Sequence, residues 1–236
     1  MTTRAQAIGD GLARVGARIA DAEQAAGRAP GSVKLLAVSK KMPPDDVRAA
    51  LAAGQRAFGE NYAQELRDKR AALATDPAPP EWHYIGPLQS NKIKYVAGQV
   101  ALIHTVDSAA LLEAIAARGL PQACLVQVNV AGEAQKRGVA PADLPALLDR
   151  FSALPQVTCA GLMLIPPLTE NPEGARAHFA ALRALREDEA ARVRPHVDLR
   201  ELSMGMSTDL EIAVAEGATI VRVGTAIFGA RPARSD

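Results

Sequence analysis

The stretch Val33-Lys34-Leu35-Leu36-Ala37-Val38-Ser39-Lys40-Lys41-Met42-Pro43-Pro44 decides how the chain is read. An apolar run of strand length ends in Ser39-Lys40-Lys41, and two prolines stop further pairing. A strand buried on both faces has no room for ammonium groups in its middle, so they gather at its carboxyl end. In parallel α/β folds that end is where ligands bind. One of the two amines is therefore a candidate for a pocket. The alternative is that both point to solvent and merely end the strand.

Outward from this stretch, strand and helix signals alternate. Before it, Ile8, Leu12, Val15 and Ile19 fall at helical spacing and Gly27 makes a stop, which predicts a helix over 3–26. Strands are predicted at 34–39, 56–59, 82–85, 101–106, 123–130, 157–164, 199–204 and 219–224. The intervening helices start at Pro43-Pro44-Asp45, near Asn61-Tyr62, through Lys92 and Tyr95, after Asp107 or Ser108, at 142–152 and at Asn171-Pro172-Glu173. Thr208-Asp209-Leu210-Glu211 has the order of a capping box. Eight strand–helix alternations in 236 residues predict one α/β domain over 1–236, a (β/α)8 TIM-type barrel with an additional N-terminal helix. An open doubly wound sheet serves the alternation less well, because no GxGxxG turn follows the first strand. Internal repeats and low-complexity tracts are not evident.

Composition narrows the partners. Formal net charge is +1 with no cluster of Lys and Arg, and aromatics are 3% of residues, so neither a nucleic-acid footprint nor a base-stacking platform is expected. No apolar run approaches the ~20 residues of a membrane span, and the amino terminus lacks a signal-peptide core. Cys124 and Cys159 lie in apolar strand-like runs outside any CxxC pair, which predicts buried free thiols without a metal or redox role. A cytoplasmic protein without nucleic-acid or membrane partners is the expectation.

Polar residues collect at the carboxyl ends of the predicted strands. Lys40 and Lys41 end the first; Glu60 and Asn61 follow the second; Gly86, Gln89, Ser90 and Asn91 follow the third; Lys136 and Arg137 follow the fifth. Ser203-Met204-Gly205-Met206-Ser207 follows the seventh and Gly224-Thr225 the eighth. Barrels often bind phosphate with the loops after strands seven and eight, and Gly205 and Gly224 would let an anion approach the backbone while Ser203, Ser207 and Thr225 add hydroxyls. Ordinary turn glycines and helix caps are the competing reading. Arg222 stands among Ile220, Val221 and Val223 in a strand covered on both faces. A guanidinium there needs a partner, either a buried carboxylate such as Glu201 or a ligand atom at the barrel mouth. An amine, a phosphate cradle and a buried arginine together suit pyridoxal 5′-phosphate, whose aldehyde forms an imine with a lysine.

The segments Leu35-Leu36-Ala37-Val38-Ser39-Lys40, Phe58-Gly59-Glu60-Asn61-Tyr62, Trp82 to Lys92, Leu202 to Ser207 and Val221 to Gly229 resemble the pyridoxal phosphate homeostasis protein family. These are single-domain relatives of the alanine racemase barrel. The resemblance runs from about Val33 to Arg231 with motifs in order. It implies that Lys40 carries the Schiff base, that Asn61 lies beside the cofactor, and that Ser203, Ser207, Gly224 and Thr225 hold the phosphate. It also implies that Arg222 meets the pyridine nitrogen, and it links Lys136 to a second, weaker cofactor contact. Lys41 departs from the family, which more often has threonine there.

By that resemblance the protein binds, buffers and hands on the cofactor, with transient contacts to apo-enzymes, and is expected to be a monomer rather than an enzyme. The alternative is a pyridoxal phosphate-dependent racemase or decarboxylase with weak activity, and a lysine-imine aldolase is a third reading. An arginine at the pyridine nitrogen disfavours its protonation and weakens the electron sink, although alanine racemases resemble this arrangement and still catalyse. The racemases carry a second domain that supplies an opposing tyrosine, whereas this sequence holds only Tyr62, Tyr84 and Tyr95, all early. Two-sided proton transfer then has no evident partner.

Overall fold

Leu36 and Ala37 belong to different apolar layers, and that division repeats round a closed ring of parallel strands. A computed structural model describes residues 2–133, 135–167 and 171–230. The strands are β1 (Lys34–Val38), β2 (Ala57–Glu60), β3 (Glu81–Tyr84), β4 (Leu102–Val106), β5 (Gln122–Gln127), β6 (Val157–Met163), β7 (Val197–Ser203) and β8 (Ile220–Val223). Each pairs with the next, and β8 closes on β1 with Leu36 opposite Arg222 and Ala37 opposite Val223. The predicted (β/α)8 barrel is the observed fold. The stretch after Ala230, included in the single-domain expectation, lies outside the described residues.

Two apolar layers follow from the two-residue period of the strands. Leu36, Ala57, Leu102, Leu125, Met163 and Ile220 fill the barrel interior. Ala37, Phe58, Ile103, Val126, Leu202 and Val221 belong to the larger layer under the helices. Those helices are α1 (Arg4–Ala25), α2 (Pro44–Ala52), α3 (Ala63–Ala72), α4 (Ala109–Ala116), α5 (Leu144–Ser152), α6 (Arg176–Ala190), α7 (Leu210–Ala215) and α8 (Thr225–Phe228).

The additional helix α1 packs against α2, α7 and α8 with Ile8, Leu12, Val15 and Ile19 buried. The Thr3 side chain caps it, accepting from the Gln6 amide at 3.2 Å. Past its end, the buried Glu23 carboxylate accepts from the amides of Gly31 and Val33 at 2.9 and 2.7 Å, which fixes the entry into β1. Arg28 donates to the carbonyls of Val214 and Ala218, tying the same turn to the approach to β8.

The structure revises several boundaries. Strand β5 stops at Gln127, short of the expected 130, because Asn129 and Val139 then tie the following loop back on itself. Strand β7 begins two residues earlier than expected, at Val197. The segment Ser90–Tyr95 is a 3₁₀ helix. Ser108, not Asp107, caps α4, accepting from the Leu111 amide at 3.3 Å. The capping box at Thr208 is not formed: Asp209 is the N-cap of α7, its carboxylate turns back to the Met206 amide at 2.5 Å, and Glu211 pairs with Arg18. Cys124 and Cys159 are buried free thiols that face one another across β5 and β6. Burial pushes both thiols up, Cys159 to about 12, which keeps them protonated and unreactive.

Candidate functional site

The strand ends converge on a cavity of about 190 Å³ lined by Val38, Lys40, Asn61, Ile85, Ile165, Met206, Ser207, Arg222, Gly224 and Thr225. Six of the seven residues singled out from the sequence are therefore brought together by four different strand ends: Lys40, Asn61, Ser207, Arg222, Gly224 and Thr225.

The first strand end separates the two lysines. Lys40 is half-buried on the cavity wall, while Lys41 is exposed. Lys41 adopts φ 64°, its amide donates to Glu65 Oε1 at 2.5 Å, and its ammonium lies 6.0 Å from the centre of the Tyr62 ring. Left-handed backbone at a non-glycine residue is costly, and here it turns consecutive side chains into different surroundings.

Beneath Lys40 lies a polar cluster that the sequence did not disclose. Ser39 donates to Glu60 Oε1 at 2.6 Å, and Lys69 on α3 donates to Ser39 O, Glu60 Oε1 and Glu65 Oε1 at 2.6, 2.6 and 2.7 Å. Ser39 and Glu60 each immediately precede a cavity residue, so this cluster fixes the bases of Lys40 and Asn61. The i, i+4 spacing of Glu65 and Lys69 was the available signal. Burial pushes Glu60 up to about 7, outweighing the neighbouring Lys69.

Asn61 is held from the other side. Tyr84 donates its hydroxyl to Asn61 O and Pro87 O at 3.1 and 3.0 Å, and Thr105 donates to Gly86 O at 2.7 Å. A Cβ at Gly86 would stand 2.0 Å from Asn61 O, so only glycine permits this approach. Asn61 Oδ1 is buried with no hydrogen-bond partner among the described residues.

Gly205, at φ 93°, shapes the loop that carries Met206 and Ser207; a Cβ there would meet Ala213 Cβ at 2.5 Å. The Arg222 amide donates to Gly205 O at 2.9 Å, which ties this loop to β8. Gly224 is the N-cap of α8, and the Thr225 and Ala226 amides precede the first bonds of that turn, which Ile227 and Phe228 make to Gly224 O.

Arg222 is almost wholly buried and donates to Ser203 Oγ at 2.8 Å and to Leu164 O at 2.9 Å. The ion pair with Glu201 is not formed; Glu201 instead accepts from the Thr219 hydroxyl. Desolvation brings the guanidinium down to about 10, with Asp209 acting against it, so it stays cationic at neutral pH. Two of its five N–H donors are thus accounted for while the side chain lines the cavity.

Ser203 is the predicted site residue that stands apart. It is fully buried, and its hydroxyl lies between Arg222 and His104 Nδ1, the latter at 2.9 Å, rather than on the cavity wall. Gln89, Ser90 and Asn91 are exposed on the 3₁₀ segment and do not line the cavity. Lys136 pairs with Glu133 at 2.6 Å and Arg137 with Asp107 at 3.4 Å, also off the cavity wall. Among the described residues no group of three or more His, Cys, Asp or Glu could hold a metal, and no helix is long and apolar enough to cross a membrane.

Known proteins resemble this chain in sequence and in fold. The profile of the alanine racemase N-terminal domain family matches residues 12–232. The pyridoxal phosphate homeostasis protein of Pseudomonas aeruginosa is 49% identical over 229 residues, covering 95% of this chain and 96% of that one. A protein of unknown function from Bifidobacterium adolescentis has a crystal structure that is 42% identical with TM-score 0.89, covering 95% of this chain and 96% of its own. PipY of Synechococcus elongatus, solved with PLP bound, is 43% identical with TM-score 0.77, covering 89% of this chain and all of its own. Identity at this level over nearly the whole chain, on the same closed barrel, places it: the chain belongs to the pyridoxal phosphate homeostasis protein family.

Proposed function

We propose that the cavity binds pyridoxal 5′-phosphate through Lys40 and that the protein acts in the intracellular homeostasis of this cofactor, holding it and releasing it to other proteins, rather than turning over amino acids. The observation that carries the reading is the convergence of Lys40, Arg222 and the Ser207–Gly224–Thr225 edge on one small cavity. When bound, the cofactor supplies an aldehyde for a lysine amine and a phosphate dianion for backbone and hydroxyl donors. Lys40 is the attachment point. Ser207, Thr225 and the amides at the start of α8 receive the phosphate, and Arg222 offers its remaining donors toward the ring. The cationic Arg222 fits an anionic guest, and the buried, unpartnered Asn61 Oδ1 offers an acceptor to a hydrogen-bond donor on that guest. Ser203, expected to join the phosphate contacts, accepts from Arg222 in this structure.

Homeostasis rather than catalysis is supported by the lining. Apart from Lys40 and Arg222 it consists of uncharged residues, and the apolar Val38, Ile85 and Ile165 make up one part of it. The Tyr84 phenol, which meets the Asn61 carbonyl, is pushed up to about 12 by burial and donates to two carbonyls, so it is unsuited to exchanging a proton at neutral pH. The relative that carries the homeostasis name covers almost the same length.

Borohydride reduction of the loaded protein, digestion and mass spectrometry locate the attachment. A pyridoxyl adduct on Lys40, absent in Lys40→Ala, is the expected result. An adduct elsewhere, with Lys40 unmodified, overturns the site. Steady turnover of an amino acid at ordinary enzymic rates overturns the homeostasis reading.

A further inference from the structure

The barrel interior, normally filled by branched apolar side chains, here holds a continuous polar row. Glu81 Oε1 lies 2.9 Å from His83 Nε2; His83 Nδ1 lies 2.8 Å from His104 Nε2; His104 Nδ1 lies 2.9 Å from Ser203 Oγ; and Ser203 Oγ accepts from Arg222 at 2.8 Å. His83, His104, Ser203 and Arg222 are buried, whereas Glu81 is at the amino-terminal mouth, exposed beside Lys34 and lining a separate cleft with Arg70 and Gln99. The row therefore crosses the barrel from the face opposite the cofactor cavity to that cavity's wall.

Its donors and acceptors run one way. Arg222 can only donate, so Ser203 Oγ accepts from it; with the Glu81 end fixed as acceptor, the Ser203 proton goes to His104 Nδ1. His104 then carries its proton on Nε2 and donates to His83 Nδ1, and His83 donates from Nε2 to the Glu81 carboxylate. The hydrogen bond to His83 holds Glu81 down to about 2, so it is ionised and can only accept. Burial, with Arg222 nearby, holds His104 well below the usual imidazole range, hence neutral. Reversing the row would require a protonated His83, a second cation in an interior that already holds Arg222.

We propose that Glu81, His83, His104 and Ser203 are positioning residues forming one polarised hydrogen-bond chain, which orients Arg222 at the cavity and couples the far mouth of the barrel to cofactor binding. Ser203 fixes one guanidinium nitrogen, and the histidines fix the Ser203 hydroxyl rotor. The Glu81 charge sets the direction of every link. The part concerning affinity rests on the cofactor reading above; the part concerning direction does not.

The test therefore has a ligand-free arm. Long-range ¹H–¹⁵N correlation spectra of the protein without cofactor are expected to show both His83 and His104 as neutral Nε2–H tautomers. In Glu81→Leu, made at the exposed end of the row where folding is least at risk, the His104 signals are expected to shift toward a tautomer mixture although Glu81 does not touch that ring. Titration of pyridoxal 5′-phosphate, followed by visible absorption, is expected to show binding weakened about two- to tenfold in Glu81→Leu and in Ser203→Ala, with recovery in Ser203→Thr, which restores a hydroxyl. An Nδ1–H tautomer or a protonated ring at either histidine in the parent protein overturns the proposal. So does a folded Glu81→Leu protein with unchanged His104 signals and unchanged affinity. If the parent protein fails to bind the cofactor, the cofactor reading falls while the spectra still decide the chain.

Discussion

The Lys69 ammonium sits 2.6 Å from the Glu60 carboxylate, between β2 and α3, with both side chains almost entirely removed from water. It also reaches Ser39 O, so one cation joins the last turns of backbone before Lys40 and Asn61. Removing one member of a buried pair strands the other. Lys69→Met is expected to lower unfolding free energy by ~3–5 kcal/mol and to loosen the cofactor. Lys69→Met combined with Glu60→Leu is expected to recover part of that loss. Urea unfolding of the parent, Lys69→Met, Glu60→Leu and the double variant measures both effects, and additive single-site losses would contradict the pairing.

The same carboxylate gives a signed pH dependence. Glu60 rises from about 4.5 to about 7 on folding, so between those values the folded state binds the proton and the unfolded state has lost it. Its contribution to stability is present below the lower value and declines as pH rises through the higher one. The difference in unfolding free energy between the parent and Glu60→Gln, followed across that window, should fall with pH; a flat difference would contradict the assignment.

Glu23 works in the opposite sense. Burial raises it, but the amides of Gly31 and Val33 and the Ser32 hydroxyl outweigh burial and bring it below 4.5. Stability from this group is present above its unfolded value and is lost as pH falls. Glu23→Gln should destabilise at neutral pH by about 1–3 kcal/mol, and the deficit should shrink in acid. Equal deficits at both ends of the titration would remove Glu23 from the fastening of α1 to β1.

Gly86→Ala is expected to act on the site through backbone alone. Its Cβ would stand 2.0 Å from Asn61 O, so the loops after β2 and β3 must separate. A destabilisation of ~1–3 kcal/mol with a weaker hold on the cofactor is expected. Calorimetry and absorption titration on one preparation check it, and unimpaired binding would show that Asn61 is not positioned this way.

The two lysines can be separated directly. Lys41→Ala should retain the borohydride adduct and nearly the full cofactor content, because Lys41 is exposed over Tyr62, whereas Lys40→Ala should lose the adduct. Loss of the adduct in Lys41→Ala alone would reverse the roles.

Much of this was legible in the sequence, and what was missed follows from how side chains meet in space. The eight apolar runs and their stops revealed the barrel, because burial on both faces leaves a local signature in each strand. The polar ends of those runs marked five of the residues that line the cavity, and Arg222 stood out as a charge inside an apolar strand. Ser203 was read toward the phosphate because a hydroxyl near glycine is ambiguous; the partners its hydroxyl has in the fold, His104 and Arg222, come from β4 and β8. His83 and His104 share the inward parity of Ile85 and Leu102, a cue that becomes readable only once the strands are known to close. Lys69 drew no reading, since nothing local shows that its turn covers Glu60. The capping box failed for a related reason: Asp209 and Glu211 were drawn to Met206 and Arg18.

The pairing of β8 with β1 places a temporal constraint on the site. Lys40 is made early in synthesis, but Arg222, Gly224 and Thr225 emerge only with the last strand. A ribosome-bound chain therefore carries the amine long before it has the guanidinium and the α8 amides beside it. Closing a loop of that length is entropically slow, and the ring completes last. Under the proposed site, tight capture of the cofactor therefore reports a barrel that has closed.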